Sequence, residues 1–166
     1  GACWLLVPPD AERFRPRHTG WFADFAGLDG PQEVVNYGRG GQRFWGATFD
    51  PTALYRGRAV LRWMDAMDLT PAALRESSID LTTRIIERYD ELELASRGLL
   101  LRTPRTPERR GGFVSFEHPE ARTLRDRLRD RGVRTDARQT LLRLGPAPYT
   151  RSSELRHALD ALATLL

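Results

Sequence analysis

From residue 98 onward, short apolar runs alternate with helical stripes, and this alternation restricts the fold more than any other feature of the chain. Residues 99–101 and 113–116 read as strands, and residues 103–112 between them, rich in Pro, Arg and Gly, read as a loop. Pro119 opens a helix carrying Ala121, Leu124 and Leu128, and Gly132 is placed to close it. Residues 133–136 and 140–144 read as two more strands. Residues 150–153 offer hydroxyls to cap a last helix that turns Leu155, Ala158, Leu159, Leu162 and Leu166 inward. Strands alternating with helices in this way bury their apolar faces in a small α/β or α+β layer domain.

Upstream the pattern changes. Thr70-Pro71 is a helix start, with a capping hydroxyl followed by a proline that fits the first helical position. Leu74, Leu81, Ile85, Ile86 and Leu92 carry a long amphipathic helix to Ser96, ended by Gly98. Asp50-Pro51 repeats the start signal, and Ala53, Leu54, Gly57, Val60, Leu61 and Met64 fall on one face after it. Gly57 costs that helix about 1 kcal/mol against Ala, so close packing is expected there. Residues 3–7 are a continuous apolar run closed by Pro8-Pro9, which suits a strand buried on both faces. Residues 13–17 are a second, shorter strand candidate. The chain thus reads as the end of one domain (1–69), a linking helix (70–97) and a complete small domain (98–166). It opens on an apolar run without an initiator Met, as a piece of something longer does.

Between residues 18 and 51 neither period holds. This stretch places two Trp and four Phe among glycines, in His18-Thr19-Gly20-Trp21-Phe22-Ala23-Asp24-Phe25 and Arg43-Phe44-Trp45-Gly46-Ala47-Thr48-Phe49. Aromatics without core spacing pack in a loop, line a pocket or join an interface; a loop folded onto its own domain is the plain alternative.

Charge and cysteine usage remove several classes of function. All 26 cationic residues are Arg, as the coding bias of a GC-rich genome produces. A formal charge of +4 permits nucleic-acid binding. The arginines, however, are interleaved with Asp and Glu, as over residues 122–131, which is a solvated helix face. An Arg-rich module binding nucleic acid or protein is the rival from another class, and strong salt dependence of binding would favour it. Cys3 is alone and three His are scattered, so no disulfide within the chain and no metal cluster is expected. No apolar run approaches a membrane span, and a reducing cytoplasm is the expected compartment.

Three residues stand out as able to carry chemistry. Thr48 offers a hydroxyl just before the helix start at Asp50-Pro51, where the positive dipole end favours an anion; a plain turn Thr is the alternative. Trp21 offers an indole N–H, which only donates, or simply packs. Arg143 lies inside the apolar run Leu141-Leu142-Arg143-Leu144. A guanidinium among leucines needs a partner, and a carboxylate in bidentate geometry is the natural one, unless the side chain lies on the solvent face of its strand. His18, Asp136 and Arg138 receive no role, although the last two can pair with each other.

Gly20-Trp21-Phe22, followed by Phe44-x-x-x-Thr48 and then by Leu142-Arg143-Leu144-Gly145-Pro146-Ala147-Pro148-Tyr149, resembles kynureninase and its class V aminotransferase relatives, pyridoxal phosphate (PLP) enzymes of fold type I. The opening Gly1-Ala2-Cys3-Trp4-Leu5-Leu6-Val7 is similar to the strand that follows the cofactor lysine in that family. The resemblance implies an α/β chain: the end of a large PLP-binding domain, a linking helix and a small C-terminal domain. It implies that Trp21 and Thr48 reach the cofactor phosphate of the neighbouring subunit in a homodimer, and that Arg143 holds the substrate α-carboxylate. The implied reaction is hydrolysis of L-kynurenine to anthranilate and L-alanine, with aminotransferase or cysteine desulfurase chemistry as the alternative. No catalytic residue is expected within the chain. It contains no Lys, so it cannot attach the cofactor covalently and is expected to be inactive alone. Residues 27–42 do not follow the family pattern, which leaves the substrate open. No nucleic-acid or membrane partner is expected.

Overall fold

The computed structural model describes residues 3–31, 33 and 35–166. Gly1 and Ala2 of the expected first strand, and Gln32 and Val34, lie outside the described residues. The chain divides into two compact units, Gly1–Met67 and Asp68–Leu166.

The first unit is built from short 3-10 turns, Ala11–Arg13, Trp21–Gly27 and Gly40–Phe44, and one helix, α1 (Thr52–Ala66). Neither strand expected here forms. Residues 3–7 are irregular, with Trp4, Leu5 and Leu6 exposed; of residues 13–17, Arg13 ends a 3-10 turn (Ala11–Arg13) and residues 14–17 are irregular. An apolar run becomes a strand only when a neighbouring strand takes its hydrogen bonds, and none among the described residues does so. Helix α1 begins where Asp50-Pro51 predicts, and the Asp50 carboxylate accepts the Thr52 backbone N–H at 2.9 Å. Its apolar stripe is not buried: Leu54, Val60 and Leu61 remain about half exposed, because periodicity shapes a helix but a facing element is needed to cover it.

In the second unit, α2 (Pro71–Glu91) starts as expected, with the Thr70 hydroxyl accepting the Ala73 N–H at 3.1 Å. It stops at Glu91 rather than near Ser96. Glu93 has φ of 50°, which ends the α-helix, and a 3-10 turn, Leu94–Arg97, leads to Gly98 at φ 88°. Four antiparallel strands follow in the order β1-β2-β4-β3: β1 (Leu100–Leu101), β2 (Val114–Glu117), β3 (Asp136–Arg138) and β4 (Leu141–Leu144). The third strand sits later than the expected 133–136. Its hairpin with β4 turns at Gln139 (φ 52°) and Thr140, and that turn fixes Asp136 opposite Arg143 and Arg138 opposite Leu141. Helices α3 (Ala121–Asp130) and α4 (Ser152–Ala163) complete the layer.

The core lies between the helices and one face of the sheet. Val114, Phe116, Leu142 and Leu144 meet Ile85 and Tyr89 of α2, Leu124 and Leu128 of α3, and Leu159 and Leu162 of α4. Each fully buried large side chain contributes roughly 1.5–3 kcal/mol. Tyr89 stacks on Phe116 at 5.1 Å, and its hydroxyl donates to the Leu99 carbonyl at 2.8 Å, so one residue fills the core and ties down the start of β1. Arg75 anchors the 103–112 loop to α2 by donating to the carbonyls of Pro107 (2.7 Å) and Arg110 (2.6 Å).

Candidate functional site

The strands alternate, so the residues between the core positions share the opposite face. Register places Ser115, Arg143 and Asp136 in one row across β2, β4 and β3. Arg143 is therefore not part of the core despite its leucine neighbours: Leu142 and Leu144 point in, and Arg143 points out. Its side chain is 25 % exposed, held down by two neighbours. The guanidinium lies 5.3 Å from the centre of the Phe113 ring, and Nη2 donates to Oδ2 of Asp136. Nη1 and Nε have no hydrogen-bond partner among the described residues, so part of the planar fork remains available. Asp136 also lies within ion-pair distance of Arg138, at 3.6 Å. The pairing of Asp136 with Arg138 expected from sequence is thus the longer of two contacts made by one carboxylate.

Behind this row the chain turns at Gly145-Pro146. The turn is closed by Thr150, whose hydroxyl accepts the Ala147 N–H at 3.0 Å, while the Glu154 carboxylate accepts the Arg151 N–H at 2.7 Å and caps α4. A cavity of ≈ 870 Å³ opens beside this turn, lined by Val133, Thr135, Pro146, Tyr149 and His157 among others. Arg143 does not line it, so the cavity is separate from the arginine fork.

In the first unit, the two aromatic signatures are joined. Gly20 N–H donates to the Trp45 carbonyl and Phe22 N–H to the Gly46 carbonyl, both at 3.2 Å. The approach requires glycine: a Cβ on Gly20 would fall 2.3 Å from the Ala47 nitrogen. Phe22, Phe25, Trp45 and Phe49 form a ring cluster with centroids 5.3–6.4 Å apart. Trp21 stands edge-on to Phe22 at 6.4 Å and is 54 % exposed. Thr48 is exposed on the adjoining segment. Neither the Trp21 indole N–H nor the Thr48 hydroxyl has a hydrogen-bond partner among the described residues. The start of α1 contributes less than expected, because Asp50 already occupies the Thr52 N–H and hydroxyl, at 2.9 and 2.6 Å. Those same bonds hold the Asp50 carboxyl below its ordinary pKa.

Arg43, which received no role from sequence, is the scaffold of this unit. It is buried, and its guanidinium donates to the carbonyls of Ala11 (2.7 Å), Phe14 (2.9 Å) and Gly38 (3.3 Å). The only sequence signal was its place at the head of the second aromatic signature. Glu12 reaches the same region by accepting the Gly40 N–H at 3.0 Å; this bond, ahead of nearby Arg43 and Arg39, lowers its pKa. No group of His, Cys, Asp and Glu among the described residues could hold a metal ion. No described helix is long and apolar enough to cross a membrane.

The helix-backed antiparallel sheet defines a fold that recurs among solved structures. The apo structure of a cysteine desulfurase from Thermococcus onnurineus NA1 matches 95 % of the chain and 40 % of its own, with a TM-score of 0.76 at 19 % identity. A NifS-like protein matches 80 % of the chain with a TM-score of 0.58 at 16 % identity. The chain itself belongs to the kynureninase C-terminal domain family, whose model matches residues 74–162. Kynureninase from Pseudomonas fluorescens is 40 % identical over 97 residues, 57 % of this chain, and that of Burkholderia mallei (strain SAVP1) is 36 % identical over 96. The match spans 23 % of the length of these relatives. The resemblance to kynureninase and its class V relatives therefore holds; Arg143 falls within the residues the family model matches, whereas Gly20-Trp21-Phe22 and Phe44-x-x-x-Thr48 lie before them.

Proposed function

We propose that this chain is the C-terminal part of a PLP-dependent enzyme acting on an amino acid, with hydrolysis of L-kynurenine to anthranilate and L-alanine as its reaction. The observation that carries the reading is Arg143: a largely covered side chain with unused fork donors, within the region matched by the kynureninase family. Residues 1–69 form the end of the large domain, 70–97 the linking helix and 98–166 the small domain of a cytoplasmic homodimer. PLP, when bound, supplies the electron sink that makes bonds around the amino-acid carbons labile. This chain's share of the work is binding and orientation. Arg143 binds the substrate α-carboxylate and fixes the molecule's orientation, and Phe113 limits where the guanidinium can move. Trp21 and Thr48 donate to the cofactor phosphate of the opposite subunit, and the ring cluster of Phe22, Trp45 and Phe49 holds their segments together. The residue that attaches the cofactor is not among these, since the chain has no Lys. The likeness to a cysteine desulfurase structure supports a second reading, in which the same framework serves that chemistry.

The test is kinetic. In the full-length enzyme, Arg143→Lys keeps the charge but loses the fork. It should lower kcat/KM for L-kynurenine by the equivalent of about 1.5–3 kcal/mol, the range for hydrogen bonds to charged groups, with PLP occupancy unchanged. Wild-type kinetics in that variant would remove Arg143 from the site. For the shared cofactor site, a variant without the attachment Lys is co-expressed with Trp21→Ala/Thr48→Ala. One site of each mixed dimer is then intact, and activity returns to up to about half of one dimer's sites. Mixed dimers without activity would refute the cross-subunit assignment.

A further inference from the structure

One oxygen of Asp136 serves two arginines. Oδ2 accepts from Nη2 of Arg143, and the Nε of Arg138 lies 3.6 Å from the same oxygen. The backbone creates this arrangement. Asp136 faces Arg143 across the β3–β4 ladder, and Arg138, two residues along β3, points to the same side of the sheet. The two arginines differ in their surroundings. Arg143 is 25 % exposed and Arg138 is 76 % exposed. Leaving a charge uncompensated costs more where water is excluded, so in the absence of ligand the carboxylate belongs with Arg143, where it is found.

A carboxylate ligand on the Arg143 fork would change that preference. Two carboxylates on one guanidinium repel each other, and Asp136 has a second partner at hand. Closing its gap to Arg138 from 3.6 Å to an ordinary charged hydrogen bond of roughly 2.8 Å needs only a small side-chain movement. Resting on the reading of Arg143 as the carboxylate site, we propose that Asp136 is a transferable counter-ion. It neutralises Arg143 when the site is empty and passes to Arg138 when a ligand carboxylate arrives. Asp136 and Arg138 are then positioning residues that set how tightly the site holds a carboxylate, Asp136 by competing and Arg138 by drawing the competitor away.

The test uses the 166-residue chain itself, ¹⁵N-labelled, with acetate as the probe at constant ionic strength. The Arg143 Nε–H resonance, assigned by its loss in Arg143→Lys, reports binding. Asp136 and Arg138 are solvent-facing, so their variants should keep the wild-type amide spectrum. For exposed charges a few ångströms apart the expected changes are about threefold in Kd. Asp136→Asn should bind acetate about threefold more tightly than wild type, and Arg138→Gln about threefold more weakly. The deciding measurement is the double variant, because Arg138 acts through Asp136: Asp136→Asn/Arg138→Gln should match Asp136→Asn alone. If Arg138→Gln weakens binding by the same factor in both backgrounds, Arg138 is only a nearby positive charge and the exchange is overturned. An unchanged Kd in Asp136→Asn overturns it as well, while leaving Arg143 as the carboxylate site. If no variant or wild type responds at Arg143, the carboxylate reading of Arg143 falls and the exchange falls with it.

Discussion

Tyr89→Phe isolates a single buried hydrogen bond. The ring of Tyr89 is 3 % exposed and stacked at 5.1 Å on Phe116, and both features survive the substitution. What is lost is the hydroxyl's donation to the Leu99 carbonyl at 2.8 Å, and Leu99 is itself fully buried. A typical hydrogen bond contributes about 0.5–1.5 kcal/mol net, and a buried acceptor left without a partner costs about 1–3 kcal/mol. The variant should therefore lose about 1–2 kcal/mol in the Asp68–Leu166 unit. For a unit of this size that is a fall in Tm of roughly 4–16 °C, at about 4–8 °C per kcal/mol. The assay has a built-in separation. All four Trp residues, Trp4, Trp21, Trp45 and Trp63, lie in the Gly1–Met67 unit, whereas Tyr89 lies in the other. Hydrogen exchange of β1, β2 and α2 amides should show the loss, and Trp fluorescence should not follow it. Unchanged protection in β1 and β2 would show that the Leu99 carbonyl finds water once the hydroxyl is gone, and would refute the account of Tyr89 as the tie on β1.

Gly20→Ala should have the converse effect, loosening the first unit by about 1–3 kcal/mol, the usual cost of forcing atoms into a packed site, because its Cβ would fall 2.3 Å from the Ala47 nitrogen; a red shift of Trp fluorescence at lower urea checks it. The Arg105 fork donates to both oxygens of Asp90, at 2.7 and 2.8 Å, and this bonding lowers the Asp90 pKa. Since the folded value is the lower one, the pair's small contribution is full above the unfolded value of about 4 and is lost as pH falls through the folded value. An acid titration should thus show Arg105→Gln differing from wild type near neutral pH and converging with it as pH falls from about 4 through the lowered folded value of Asp90. Mixed with PLP and borohydride, the chain should yield no lysine adduct by mass spectrometry, since it has no Lys; reaction at the N-terminal amine is distinguished by peptide mapping.

The sequence by itself determined most of the second unit's elements. Their signals are local: Thr70-Pro71 carries both the cap and the first-turn proline of α2, Gly132 sits at φ 81° after α3, and the stripe of Leu155, Ala158, Leu159 and Leu162 lies on one face of α4. It also singled out Arg143, because a charge in an apolar run is conspicuous in one dimension. What Arg143 touches was decided only by tertiary structure. Asp136 is seven residues away and becomes a neighbour only through the hairpin at Gln139, and Phe113 comes from before β2. The same limit explains the two strands expected near the N-terminus. Residues 3–7 have the composition of a strand, but a strand is a relation between segments, and composition describes only one of them. Arg43 was hidden for the related reason that its partners are backbone carbonyls of Ala11, Phe14 and Gly38. Every residue carries such a carbonyl, so no side-chain pattern marks which ones a buried guanidinium will find, and only the folded path of the chain brings those three together.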